Sequence, residues 1–189
     1  MKLIIFKAMS VLLGLVLIAS LVTNYMYYRR VKHEEQYVRL LYNQFIFYTD
    51  MAAGTLGKVN HGTADYQRAA VDTSDAANAL SALEHYESIV QNPTSGEPST
   101  PHVKQISIFL SYVSLALVKR NPQIQTSNGL VTISPSSAKT IVFKMDDIVM
   151  SNIKDSNIPT DKVSTVFDQI YNLIPKDFNN QNMLDFFYH

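Results

Sequence analysis

The chain has no cysteine among its 189 residues, and its charges form no cluster of one sign. Without a thiol there is no lipobox, which excludes anchoring through a lipid-modified cysteine. The absence of cysteine is compatible with an oxidising exterior and equally with the cytosol. The 16 basic residues are scattered among 16 acidic ones, whereas binding to a phosphate backbone needs clustered Lys and Arg. We therefore expect no nucleic-acid partner.

Charge is absent from one stretch near the N-terminus, between Ala8 and Tyr28. Most of its side chains are apolar, and its few hydroxyls can bond to carbonyls of their own helix. At about 1.5 Å of rise per residue the stretch reaches roughly 30 Å, the thickness of the hydrocarbon core of a bilayer. The pattern predicts a single transmembrane helix within residues 1–28.

The C-terminal end of this stretch has the composition of a membrane interface. Tyr25, Tyr27 and Tyr28 are followed directly by Arg29 and Arg30. Tyrosine rings favour the headgroup level, and guanidinium groups stay in water. This order predicts an aromatic belt followed by a charged end to the span.

A cleaved secretory signal is the alternative, and the basic residues Lys2 and Lys7 suit it. Cleavage requires small residues at two recognition positions, but residues 17–25 place bulky side chains in most of them. An uncleaved signal-anchor is therefore favoured. A secreted helical protein is the expectation if the segment is cut.

Orientation follows from the flanking charges only in part. Lys2 and Lys7 oppose Arg29, Arg30 and Lys32, so the positive-inside rule is nearly balanced. A short N-terminal tail usually stays inside. We therefore predict a single-pass protein of the cell membrane with its bulk outside the cytoplasm.

Beyond the span, the chain is long enough for one domain with a hydrophobic core. It carries 14 basic against 16 acidic side chains once Lys2 and Lys7 are set aside. We predict a helical bundle domain over residues 29–175 and a C-terminal tail over residues 176–189.

Apolar spacing in the bundle is mostly that of helices, at intervals of three and four residues. Nothing between Tyr28 and Val31 breaks a helix, so the membrane helix is predicted to continue into the first of them. The predicted helices are Val31–Leu56, Ala64–Gln91, Pro101–Arg120, Ser136–Asn152 and Pro159–Ile174.

The second helix carries a heptad pattern with one exception. Glu87 occupies a position that the pattern reserves for apolar residues. Residues 71–75 contain weak helix formers, which allow a break in the helix with a new N-cap. At the start of the helix, Thr63 or a neighbour is predicted to be the N-cap. The pattern comprises Ala69, Thr73, Ala76, Leu80, Leu83 and Val90.

The third helix follows a loop, Asn92–Pro101, that contains three prolines and a glycine. Ser99 or Thr100 is predicted to cap it. Its apolar run, Ile106–Val118, is 13 residues long and falls short of the roughly 20 that a membrane crossing needs. We therefore expect a buried central helix rather than a second span.

A small β-hairpin is predicted within Asn121–Ser134. Asn128 and Gly129 favour a type I′ turn, and the three residues Val131–Ile133 are β-branched. The aromatic end of the tail, Met183–His189, is expected to pack on the bundle; the alternative is a docking peptide.

No catalytic or metal motif stands out. The five histidines are far apart in sequence and form no i, i+4 pair; they are His33, His61, His85, His102 and His189. The densest ionisable group, Glu84, His85 and Glu87, is interpreted as a solvated surface because its members do not share one face.

Two further patterns suggest chemistry but lack essential parts. Asp146 and Asp147 lack the further acid of a DDxxD spacing, so both carboxylates are expected at the wet edge of the helix. Residues 54–58 lack the spacing and hydroxyl of a phosphate-binding loop, and no serine lies in Gly-x-Ser-x-Gly. We accordingly predict no catalytic, cofactor-binding or metal-binding residue and no cofactor.

The sequence thus predicts a mainly α fold: an N-terminal transmembrane helix, then a four- to five-helix bundle with a small β-hairpin insertion. The function expected is non-catalytic, with the lipid bilayer and an envelope or membrane protein as partners, as an assembly or sensing component. The alternative is a membrane-tethered enzyme whose site forms only in the fold.

Overall fold

The computed structural model describes residues 2–57, 65–91, 100–118, 123–126, 129–153 and 162–174. Within these ranges it describes side chains except at 2–12, 91, 123–126 and 129–131. The predicted tail (176–189), most of the proline-rich loop (92–99) and the first residue of the predicted turn, Asn128, lie outside the described residues.

The described part is mainly helical, and the predicted helical bundle is confirmed. A π-helical segment, Glu87–Gln91, follows the second helix directly. The α-helices are α1 (Lys2–Thr55), α2 (Tyr66–Tyr86), α3 (Val103–Leu117), α4 (Pro135–Asn152) and α5 (Val163–Tyr171).

Two short strands lie between α3 and α4. They are β1 (Gln123–Thr126) and β2 (Gly129–Thr132), and they pair antiparallel with Thr126 opposite Gly129. Gln123 is opposite Thr132 at the other end of the ladder. The pair forms a two-stranded sheet.

The chain divides into two compact units, Met1–Arg39 and Leu40–His189. In the first unit every described side chain from Leu13 to Arg30 is exposed. Among the residues that were described, no helix offers an apolar stretch long enough to cross a membrane. The predicted span begins at Ala8, but the side chains of residues 8–12 are not among those described. The domain boundaries given in the sequence analysis stay predictions.

The core of the second unit is centred on the packing of α2 against α3. The Ser107 hydroxyl donates to the Ala77 carbonyl at 2.9 Å, and the Ser114 hydroxyl donates to the Ala70 carbonyl at 2.8 Å. Buried alanines on α2 let the two backbones approach closely enough for these bonds. The serines of α3 therefore fasten it to its neighbour.

The predicted burial of the third helix is confirmed. Ile106, Leu110 and Val113 are all fully buried on α3. A helix that is apolar on nearly every side must have neighbours around it, and α2, α4 and α5 supply them. The other large, fully buried side chains of this core are Phe45, Leu56, Leu80, Leu83, Phe109, Leu117, Met145, Phe167 and Ile170.

The helix break that residues 71–75 allow does not occur. Asp72 and Thr73 are buried inside a continuous α2. The Thr73 hydroxyl donates to the Ala69 carbonyl at 2.7 Å, and Asp72 lies 3.3 Å from the Arg68 guanidinium. Tertiary burial and these local bonds outweigh the weak helix propensity of the segment.

Two helix ends carry residues that suit them. Ser134 caps α4 by accepting from the Ser137 N–H at 3.1 Å, and Pro135 follows in the first turn, where proline is well tolerated. After α1, Gly57 has a φ of 87°, the left-handed conformation that suits glycine at a helix end.

The start of α2 is capped by a neighbour of Thr63, which the prediction allowed, whereas the start of α3 differs from the prediction. Asp65 caps α2 by accepting from the Arg68 N–H at 3.0 Å, and Thr63 itself lies outside the described residues. At α3 the N-cap residue is His102, whose side chain makes no capping hydrogen bond to the helix. The prediction that Thr100 caps this helix was therefore wrong. Thr100 bonds to Glu87 instead, and Ser99 lies outside the described residues.

Candidate functional site: an exposed apolar segment and a polar junction

The first candidate is the segment of α1 from Leu13 to Val22. Most of its side chains are large and apolar, and all of its positions are exposed; Leu15, for example, is 60% exposed. Successive helical residues point about 100° apart, so exposure at all of them leaves every side of the helix uncovered. Water is an unfavourable environment for such a surface.

Small and polar residues within this segment do not interrupt its apolar surface. A Cβ built on Gly14 meets nothing within 4 Å. Directly after the segment, the Thr23 hydroxyl donates to the Ala19 carbonyl at 2.9 Å, which satisfies it without water. A hydroxyl bonded within its own helix in this way suits a lipid environment.

A collar of tyrosines and cations follows, formed by Tyr25, Tyr27, Tyr28, Arg29, Arg30 and Lys32. The Arg29 guanidinium lies over the Tyr25 ring, 5.9 Å from its centroid. Arg30 pairs with Glu34 one turn later, at 2.9 Å between Nε and Oε1. All six collar residues are exposed.

The second candidate is a polar junction in the second unit, built on Glu87, Thr100 and Tyr42. Glu87 is only 3% exposed. Its Oε2 accepts from the Thr100 N–H at 2.8 Å, and its Oε1 accepts from the Thr100 hydroxyl at 2.7 Å. Charge-assisted bonds of this kind offset part of the cost of burying a carboxylate.

The Tyr42 hydroxyl lies 2.5 Å from the Thr100 hydroxyl oxygen. Since the single hydroxyl hydrogen of Thr100 goes to Glu87, Tyr42 is the donor in this bond. The three groups form a directed chain from Tyr42 through Thr100 to Glu87. It joins α1, the π-helical segment and the turn before α3.

Burial raises the pKa of Tyr42 to about 12. The bond to Thr100 lowers it and the nearby charge of Glu87 raises it further, and both effects are smaller than that of burial. The phenol therefore stays protonated and remains a donor in the junction across the physiological pH range.

His102 extends the junction towards α5. Its φ of 59° is left-handed, a conformation in which histidine is more frequent than most residues. The imidazole stacks on the Tyr171 ring with centroids 3.8 Å apart, and its Nε2 lies 3.4 Å from the Asp168 carboxylate. The ring therefore ties the start of α3 to α5, and Asp168 orients it.

A third polar contact joins the end of α1 to α2. Buried Asp72 receives a bond from the Thr55 hydroxyl at 3.5 Å and lies 3.3 Å from Arg68. Burial raises the pKa of Asp72, and Arg68 opposes that shift. These groups hold two helices together.

The pocket described in the bundle is small and apolar. Its only polar lining residues are Thr49 and Thr73, whose hydroxyls donate to carbonyls of their own helices. Its other lining residues are Ala52, Ala76, Leu110, Val142 and Met145. This lining offers no acid or base for catalysis.

Two sequence interpretations of acidic residues need correction. The sequence predicts Glu87 in a solvated surface with Glu84 and His85, but Glu87 is buried, Glu84 is half-buried and His85 is exposed. Asp146 was expected at the wet edge of its helix with Asp147; Asp147 is exposed, whereas Asp146 is buried. In each case successive or nearby helical positions face opposite environments.

The signal for the polar junction was present in the sequence. Glu87 stands at an apolar position of the heptad pattern, and residues at such positions face a neighbouring helix and are expected to be buried. Its partners could not be identified, because Tyr42 and Thr100 come from distant parts of the chain and neither belongs to a motif.

The remaining predicted positions do not converge on a site. His33 and His85 are exposed, while His61 and His189 lie outside the described residues. In the described part of the chain, no three His, Asp or Glu side chains lie close enough to hold a metal ion. No protein-family model matches this chain, and neither does any curated protein or solved structure.

Proposed function

We propose that this protein is a membrane-anchored helical bundle, held by α1 in the bilayer, that binds another protein of the envelope or membrane without catalysing a reaction. The observation that carries the proposal is the exposure of Leu13–Val22 on every side of α1. A helix that is apolar all round suits a membrane span or a buried core, and here it is not covered by protein.

The axial order of residues supports anchoring rather than burial in a core. Apolar side chains give way to tyrosines at 25–28 and then to cations at 29–32. This is the order of environments from the hydrocarbon core to the aqueous phase. We further propose a single crossing with the bulk of the chain outside the cytoplasm.

Leu15→Arg tests the anchor. A central arginine costs roughly 2.5–3.5 kcal/mol of insertion free energy, so a larger fraction of the variant should be released by alkaline carbonate. Met150→Arg, at an exposed position on α4, is the matched control and should stay with the membrane. Equal resistance of Leu15→Arg and wild type to carbonate would argue against the span.

A C-terminal tag tests the orientation. If the bulk of the chain is exported, protease added to intact cells digests the tag while the anchored chain keeps its full mass before treatment. Protection of the tag in intact cells, with digestion after lysis, would place the bundle in the cytoplasm. A shortened chain before treatment would indicate cleavage and release.

Support for a protein partner comes from apolar side chains on the bundle surface. Leu40 is 51% exposed and Phe47 is 57% exposed, and their seven-residue spacing places them on the same face of α1. The Phe47 ring is held edge-on against Tyr48, with centroids 5.4 Å apart. A fixed, exposed aromatic ring is typical of an interface anchor.

Photo-crosslinking tests this face. A photoreactive residue at Phe47 should give one product of discrete higher mass in intact membranes. The same residue at Met150, which is similarly exposed on α4, should give no such product. Loss of the Phe47 product in Leu40→Asp would support a shared face, and identical patterns at both positions would argue against it.

A further inference from the structure

The collar of α1 has a chemistry of its own beyond anchoring. Three cations, Arg29, Arg30 and Lys32, lie within four residues of one another and directly follow three tyrosines. We propose that this collar binds the headgroups of anionic phospholipids. The inference rests on the proposed function, because it requires α1 to cross the bilayer.

The dimensions of the collar match the headgroup layer. A bilayer is about 30 Å thick in its hydrocarbon core and about 40–45 Å with its headgroups, which leaves roughly 5–8 Å on each side. The rise from Tyr28 to Lys32 is about 6 Å at 1.5 Å per residue. The three cations therefore span the depth at which lipid phosphates lie.

Acidic residues stand just beyond this layer. The backbones of Glu34 and Glu35 follow Tyr28 by about 9–10 Å along the helix axis, beyond the depth of the headgroups. The Glu34 carboxylate reaches back to Arg30 and offsets its charge, so Arg29 and Lys32 carry the net positive charge of the collar. Glu34 also holds the Arg30 side chain through its Nε, at 2.9 Å.

The collar side chains are suited to phosphate recognition. A guanidinium carries five N–H donors, so the bond from Nε to Glu34 leaves Arg30 with donors for a phosphate oxygen. Arg29 lies over the Tyr25 ring, which orients its planar group close to the interface. Lys32 is exposed and adds a third positive charge one turn further from the bilayer centre.

The test uses the full chain reconstituted in vesicles of phosphatidylcholine with phosphatidylglycerol as the minor component. The protein is extracted in mild detergent, and the lipids that copurify are quantified by mass spectrometry. At an anionic surface each cation favours binding on the order of fivefold, so wild type should retain phosphatidylglycerol several-fold above its share in the vesicles.

The variant Arg29→Gln, Arg30→Gln, Lys32→Gln should lower this ratio several-fold towards that of the input vesicles, while Lys2 and Lys7 at the other flank are unchanged. A matched variant, Arg39→Gln, Lys144→Gln, Lys162→Gln, removes the same charge from exposed positions outside the collar and should keep the enrichment. Salt at about 1 M shortens the Debye length to about 3 Å and should reduce the wild-type enrichment.

Carbonate extraction of the same vesicles separates this inference from the proposed anchor. If wild type resists extraction but shows no enrichment, or if the collar variant is enriched as wild type is, the lipid inference is overturned and the anchor stands. If wild type is extracted by carbonate, the anchor fails, and the collar proposal fails with it.

Discussion

Thr100 donates both its backbone N–H and its hydroxyl to the carboxylate of Glu87, at 2.8 and 2.7 Å. Both residues are buried; Glu87 precedes the proline-rich loop and Thr100 lies near its end. Since Tyr42 donates in turn to Thr100, one threonine joins three elements of the bundle. The stability of the bundle should therefore depend on a hydroxyl for which the sequence pattern predicts a different role, that of a helix cap.

Replacing Thr100 with valine tests this relationship. The substitution keeps the shape of the side chain but leaves the Tyr42 hydroxyl and one oxygen of Glu87 without their partner. We expect the free energy of unfolding to fall by roughly 1–3 kcal/mol. Urea denaturation of the full chain in detergent, followed by circular dichroism, measures the loss.

Thr140→Val is the matched control for that experiment. Thr140 is exposed on α4, and its hydroxyl bonds only to the Ser136 carbonyl one turn earlier among the contacts described. Its replacement should change the free energy of unfolding by no more than about 0.5 kcal/mol. Equal effects at the two positions would show that the junction contributes nothing special.

The pKa of Tyr42 makes a prediction for alkaline pH. Its folded value of about 12 lies above the ordinary value of 10.0, so the native state holds this proton more tightly. The resulting stabilisation is present below pH 10 and is lost as the pH rises towards 12. Tyr42→Phe should lack this part of the alkaline loss of stability.

Absorbance of tyrosinate measures the same prediction directly. Burial also raises the pKa of Tyr112, so wild type should show two late-titrating tyrosines, and Tyr42→Phe should lose the component near pH 12. Tyr66→Phe, on α2, should keep it. A titration of Tyr42→Phe that retains the same late component would assign it to another tyrosine.

Asp72 should produce a pH dependence at the acidic end. Burial raises the folded pKa of Asp72 above the ordinary 3.8, so the native state binds this proton more tightly than the unfolded state does. The resulting stabilisation is fully present below pH 3.8. It is lost as the pH rises through the folded pKa. Asp72→Asn cannot ionise and should therefore gain stability relative to wild type between acidic and neutral pH.

Urea denaturation at a series of pH values checks this expectation. The difference in unfolding free energy between Asp72→Asn and wild type should move in favour of the variant as the pH rises. Asp50→Asn, at an exposed position on α1, serves as the control for removing a carboxylate. A difference that is constant with pH would contradict the shifted pKa.

The central position of α3 predicts a severe effect at Leu110. This side chain is fully buried, and an unpaired carboxylate in its place costs several kcal/mol, comparable with the stability of a typical domain. Leu110→Asp should abolish the cooperative thermal transition. Leu115→Asp, exposed on the same helix, should melt close to wild type, and equal melting of both variants would contradict the burial.

Several elements were predictable because their signals are local. The helical spacing of α4 and its Ser134-Pro135 start depend on residues within a few positions of each other. The burial of α3 followed from apolar residues on nearly every side. The caps of α2 and α3 were less predictable, because several polar residues compete for each role over a few positions.

The sequence by itself determined the helical class of this protein, its apolar N-terminal stretch and the tyrosine and cation collar that follows it. These features depend on the periodicity and order of neighbouring residues. Only the tertiary structure decided that Glu87 and Asp146 are buried and that Thr100 donates hydrogen bonds to Glu87 instead of capping α3. Hydrogen bonds between distant segments are set by how helices pack, and the desolvation of a carboxylate depends on everything around it.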